Sequence, residues 1–188
     1  MTGNPMIRAT LTAGCGVLAL LTAPVAAADP TPTPTPSTEP IAGPIAYVIG
    51  RCYTPAQPVV EEPTRVVYNC DSTSIMQDMQ WSSWGPDGAN GTGTDNSVEC
   101  QPNCAEGPHL INPIIVRAWN PKPPTTPGCP EGVEFYTDLT VAYPQGVPPW
   151  IVPGTRWTDG VEYTYVDGMP AVHFTDQGPY SCTPLPTP

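Results

Sequence analysis

The stretch Val133-Glu-Phe-Tyr-Thr-Asp-Leu-Thr-Val-Ala-Tyr143 decides the fold. Val133, Phe135, Leu139, Val141 and Tyr143 alternate with Glu134, Asp138, Thr140 and Ala142. Apolar residues at a period of two describe a strand with one buried face. Upstream, Ile114-Ile115-Val116-Arg117-Ala118-Trp119 reads as a strand apolar on both faces. Ile75, Met79 and Trp81 share one parity around Gln77, and Ile45–Arg51 and Arg65–Asn69 are short β-branched and aromatic runs. Downstream, Val161–Val166 and Ala171–Thr175 flank Asp167-Gly168. That dipeptide favours a type I′ hairpin, whose two central residues need positive φ. Met169-Pro170 follows at once, and a proline without an amide donor predicts an edge strand or a late start. The 29 prolines break almost every window of helical length. The expectation is an all-β fold: a disulfide-stapled antiparallel sheet forming a small β-sandwich or a barrel. It occupies residues 45–188 as a single β-rich domain, with 145–188 as a candidate C-terminal annex.

The N-terminal residues set the expected compartment. A short segment ending at Arg8 precedes an apolar, small-residue run over Ala9–Val25, and Ala26-Ala27-Ala28 supplies small residues before Asp29. This is a signal-peptide pattern, residues 1–28, with cleavage before Asp29. A lipid attachment at Cys15 is disfavoured by order, because the stronger apolar stretch follows that cysteine. Residues 29–44 alternate Thr and Pro, a composition that favours polyproline II and acts as a semi-rigid spacer. O-glycosylation and an unmodified linker both fit it. After cleavage, five basic residues (Arg51, Arg65, Arg117, Lys122, Arg156) face 17 acids, a net charge of −12. Such a surface repels phosphates and anionic lipid heads. The expectation is therefore a secreted or envelope-associated protein, with no nucleic-acid partner and no membrane insertion once the signal is removed.

Six cysteines remain in that mature chain: Cys52, Cys70, Cys100, Cys104, Cys129 and Cys182. An even count in an exported chain reads as three disulfides. A zinc site would want paired close spacings, and Cys100-x3-Cys104 stands alone beside only two histidines, His109 and His173. No metal and no cofactor is expected. Pro102-Asn103 makes a turn, so Cys100 and Cys104 are expected in different bridges.

Cys70-Asp71, Trp81-x-x-Trp84-Gly85, Ala89-x-Gly91-Thr92-Gly93-Thr94 and Cys100-x-Pro102-Asn103-Cys104-Ala105-x-Gly107 together resemble a group of small secreted actinobacterial proteins of uncharacterised activity. The likeness covers Arg65–Tyr143 and extends to the Ala-Asp-Pro at the cleavage site, similar to mycobacterial exported proteins. It implies secretion and a shared fold. If that region is self-sufficient, Cys70, Cys100, Cys104 and Cys129 pair among themselves in one of three ways, of which Cys70–Cys100 with Cys104–Cys129 is favoured, and Cys52 joins Cys182.

Candidate chemistry is sparse. Asp87, Asn90, Asp95 and Asn96 offer oxygens for calcium, but their spacing does not fit a calcium loop, and Pro86–Asn96 reads as a glycine-rich hairpin loop. Glu61-Glu62 is a carboxylate pair expected to diverge into solvent. No Gly-x-Ser-x-Gly or His-Glu-x-x-His occurs. Trp81 and Trp119 lie in strands and read as core. Trp150 and Trp157 lie in a Pro/Gly segment and are the candidate ligand contacts, since exposed aromatic faces suit sugars and cations. Two classes of function follow: an extracytoplasmic binding or envelope-associated structural module, whose partner is a cell-wall glycan or an extracellular protein, or a small secreted hydrolase. No catalytic residue stands out.

Overall fold

In a computed structural model, residues 43–54, 57–68, 70–179 and 182 are described. The signal peptide and nearly all of the Thr/Pro linker lie outside them. Nine strands form among the described residues and no helix. They are β1 (Ala46–Val48), β2 (Val66–Val67), β3 (Ser74–Ser83), β4 (Ala89–Val98), β5 (His109–Lys122), β6 (Val133–Ala142), β7 (Arg156–Thr158), β8 (Val161–Val166) and β9 (Met169–Phe174). The order across the sheet is β2-β3-β4-β5-β6-β9-β8-β7, antiparallel throughout, with β1 added parallel to the start of β6. The sheet curls into a half-barrel. Its β2 end curls back onto the other half of the sheet, where Tyr68, just after β2, meets Phe174 of β9 edge-on at 5.8 Å.

β6 is the axis of this arrangement, and its burial corrects the one-faced reading. Leu139, Val141 and Tyr143 face the main core with Val116 and Ala118 of β5. Val133 and Phe135 pack with Val48 in a second cluster. Tyr136 also turns into the main core. Asn120, at φ 58°, interrupts the partner strand opposite this change. With β5 on one side and β1 and β9 on the other, β6 is buried on nearly every residue.

The predicted hairpin forms as expected: Asp167 and Gly168 have φ of 50° and 78° between β8 and β9. Pro170 does not make β9 an edge. β9 lies between β6 and β8, and Pro170 sits where it only needs to accept, from the Tyr143 amide at 2.9 Å. On β5 the apolar residues divide: Ile114, Val116 and Ala118 are buried while Ile115 is exposed. On β3 the register shifts at Asp78 (φ 55°), which turns Met76, Met79 and Trp81 inward in place of the Ile75 parity.

The glycine-rich stretch is not a hairpin loop. Only residues 84–88 turn; Ala89–Val98 is a ten-residue internal strand. Its inward positions are Ala89, Gly91, Gly93, Asp95 and Ser97. A Cβ at Gly91 would sit 2.6 Å from the Trp81 ring, and one at Gly93 2.5 Å from the Met79 sulfur. The glycines let β3's large side chains lie across the neighbouring strand.

The disulfides correct the expected connectivity. Cys52 pairs with Cys70, Cys100 with Cys104, and Cys129 with Cys182. The four-residue separation of Cys100 and Cys104 still brings their Cα atoms to 3.9 Å, because the turn folds the two thiols together instead of apart. Cys70 is drawn to the segment after β1, and the buried Cys182 ties the chain after β9 to the β5–β6 loop. Three disulfides fit an oxidising compartment.

Candidate functional site

The two ends of the half-barrel carry aromatic clusters of opposite character. Where β3 ends and β4 begins, Trp84 meets Trp81 at 4.7 Å and Tyr136 at 5.5 Å, and Tyr47 stacks on Tyr136 at 6.2 Å. The indole N–H groups and the Tyr136 hydroxyl are all used. Trp81 and Trp84 donate to the carbonyls of Pro63 and Tyr47, and the Tyr136 hydroxyl both donates to and accepts from the backbone of Gly85. This end is a plug, and Trp81-x-x-Trp84-Gly85 builds it.

The opposite end is hollow. A cavity of about 220 Å³ lies at the seam where the sheet fails to close on itself. β3 and β4 deliver Ser74 and Ser97 to it, the residue after β6 is Tyr143, and β8 and β9 deliver Val161, Tyr163, Val172 and Phe174. Tyr68 and Arg51 come from the β2 side, and Trp150 and Trp157 from the segment around β7. An apolar cavity of roughly 150 Å³ already holds a benzene ring, so the volume suits a small ligand. Trp157 is 60% exposed, whereas Trp150 packs partly against the core.

Behind this wall lies a buried carboxylate. Asp95 is fully buried on the inner face of β4. Its Oδ1 accepts from the Tyr68 hydroxyl at 2.8 Å, and its Oδ2 from Tyr143 at 2.9 Å and from the Ser97 hydroxyl. Burial raises the Asp95 carboxyl above its usual range, and the three hydroxyl bonds oppose that rise. Tyr68 and Tyr143 are held well above the usual phenol range, first by burial and then by charged or polar neighbours that include Asp95. Both phenols therefore keep their protons and act as donors to Asp95.

The structure thus brings Trp150 and Trp157 to one cavity. Trp81 packs against the core as expected. Trp119 does not: it stacks on the outer face against His173 at 5.5 Å, with Arg117 over its ring. His109 bonds to the Asn96 side chain at 2.7 Å and is exposed, and the buried His173 Nε2 has no hydrogen-bond partner. Neither meets a carboxylate in those contacts. Glu61 accepts from the Tyr47 amide while Glu62 has a φ of 51°, so the pair does not act together. Of the calcium candidates, Asp95 turns inward and Asn96 bonds outward to His109, and no metal-sized cluster occurs among the described residues. Tyr68, Ser97 and Tyr163 went unnoticed as site residues. The signal for Ser97 and Asp95 was the inward parity they share with Ala89, Gly91 and Gly93.

Comparisons with protein families, with curated proteins and with solved structures return no match.

Proposed function

We propose that this protein is an exported binding module, held away from its point of attachment by the Thr/Pro segment, that receives a small ligand in the cavity at the seam of its half-barrel. The observation that carries the reading is the meeting of Trp150 and Trp157 with Tyr68, Tyr143, Tyr163 and Phe174 around one cavity. Concave aromatic sites with a few polar groups are the usual form of small-molecule sites. Export is supported by the signal-peptide pattern, the three disulfides and the acidic mature chain, and the likeness to small secreted actinobacterial proteins points the same way. A terminal unit of an envelope glycan, or a side group of an extracellular protein, fits the dimensions.

Tryptophan fluorescence of residues 29–188, titrated with a panel of saccharides and small organic solutes, tests the reading. Binding is expected to quench or shift the emission and to be lost in Trp150→Ala and Trp157→Ala. Binding that survives both substitutions places the site elsewhere and defeats the proposal.

A further inference from the structure

The polar floor of the cavity differs from its aromatic walls, and it narrows the ligand class. Tyr68, Tyr143 and Ser97 each line the cavity, and each is hydrogen-bonded to Asp95, which does not. With their protons directed at the carboxylate, these hydroxyls can only accept from the cavity side. The acceptor capacity toward the cavity belongs to Tyr68, Tyr143 and Ser97. Aromatic rings supply negative π faces on the remaining sides.

Three hydroxyls whose protons point at Asp95, the carboxylate behind them and an aromatic wall together describe a site for a cation that carries N–H donors. We propose that the cavity selects a small primary organic ammonium. This rests on the binding reading above and goes beyond it by naming the charge and hydrogen-bonding sense of the ligand. A neutral hydroxyl compound would fill the same volume without using the carboxylate. A carboxylate ligand would face the lone pairs of the floor with Asp95 behind them, and only Arg51 would offer it a positive charge among the described lining residues. The opposing feature is Arg51, the cationic lining residue among those described; it also lines the adjoining cleft with Asp159 and Asp176. Its charge disfavours an ammonium and would favour an anion, which makes it a discriminator.

The groups facing Asp95 are Tyr68, Tyr143 and Ser97, and both phenols stay protonated far above neutral pH. Asp95 is therefore the group whose titration controls the floor. Ammonium selectivity should fall as the pH drops through its raised pKa.

Calorimetric titration of residues 29–188 at neutral pH compares two sets of related probes. The first is 2-phenylethylammonium, 2-phenylethanol and 3-phenylpropionate. The second is glucosamine, glucose and N-acetylglucosamine, which reports whether a free amine or an amino sugar is the better carrier. The ammonium member is expected to bind roughly tenfold tighter than its neutral counterpart in at least one set. Asp95→Asn should remove that preference, and Arg51→Gln should strengthen ammonium binding. If Asp95→Asn fails to fold, Arg51→Gln and the pH series carry the test. Equal affinity for the alcohol, or a preference for the carboxylate that Arg51→Gln abolishes, overturns the ammonium assignment and leaves the binding reading standing. No binding of any probe overturns both.

Discussion

The plug and the cavity are built from the same residue types at opposite ends of β3, β4 and β6, and they differ in where their polar atoms point. At the plug, each indole N–H and the Tyr136 hydroxyl ends on a backbone group of a neighbouring segment. The polar bonds close the structure and leave the rings packed on one another. At the cavity, the Tyr68 and Tyr143 hydroxyls end on Asp95, deeper than the rings themselves. Their polar bonds pull inward, and the space above is not filled. Aromatic content alone thus does not separate a core from a site. What separates them is whether the hydrogen-bond partners lie across the cluster or beneath it.

This contrast predicts that substitutions at the plug cost stability and spare binding, while those at the cavity do the reverse. The largest effect concerns the covalent closure near the plug. Cys129 and Cys182 close a loop of 53 residues, whereas Cys100 and Cys104 near the open end close one of 4. On chain entropy alone, replacing the first pair by serine should cost about 4 kcal/mol and the second about 2 kcal/mol. Urea unfolding of the two double variants measures the order. An equal loss would remove the asymmetry between the ends.

Next in size is Trp84→Ala. It deletes two edge-on ring contacts and the hydrogen bond to Tyr47, and should cost about 3 kcal/mol, the lower part of the range for a large aromatic, because the ring is only partly buried. Ligand affinity should not change. Gly91→Ala follows at roughly 1–3 kcal/mol, since the new methyl meets the face of Trp81. Both are read from thermal or urea unfolding beside the binding titration.

Asp95 sharpens the comparison through pH. Its folded-state pKa is raised from 3.8 by burial, so as pH climbs above about 3.8 the unfolded chain releases its proton first and the native state loses relative stability. The contribution is complete below that pH and is lost through the raised pKa. Asp95→Asn has no such titration. The stability of the wild type minus that of Asp95→Asn should therefore decline from about pH 4 and level off above the raised pKa. A difference that grows with pH would mean that the three hydroxyls outweigh burial.

How much of this was legible in sequence follows from side-chain size. Val133–Tyr143 and the Asp167-Gly168 hairpin announce themselves because large apolar residues mark a period and Gly marks a positive φ. β4 does not, because Gly91 and Gly93 contribute no side chain to a pattern; their reason lies in Trp81 and Met79 on the next strand. Asp95 read as a turn residue for the same cause: its partners, Tyr68 and Tyr143, are 27 and 48 residues away. The cysteine pairing was hidden because three-dimensional proximity, and not the extent of a motif, decides it. Trp150 and Trp157 were legible as contacts through their Pro/Gly surroundings, although nothing local revealed that they share a cavity.

The smallest stability effect is the one that most sharply divides the two ends. Trp157 lies on β7, the edge of the sheet, with 60% of its surface exposed. Truncating so exposed a side chain should shift stability by no more than about 0.5 kcal/mol. Trp150, which leans on the core, should lose more. If Trp157 serves the cavity, Trp157→Ala weakens binding at least roughly tenfold, the equivalent of one desolvated cation–π or stacking contact, while its melting curve overlays that of the wild type. Differential scanning calorimetry beside the fluorescence titration reads both quantities on one preparation. A Trp157→Ala protein that melts several degrees lower would show instead that the ring caps the seam, as Trp84 caps the plug, and the difference between the two ends would be one of degree.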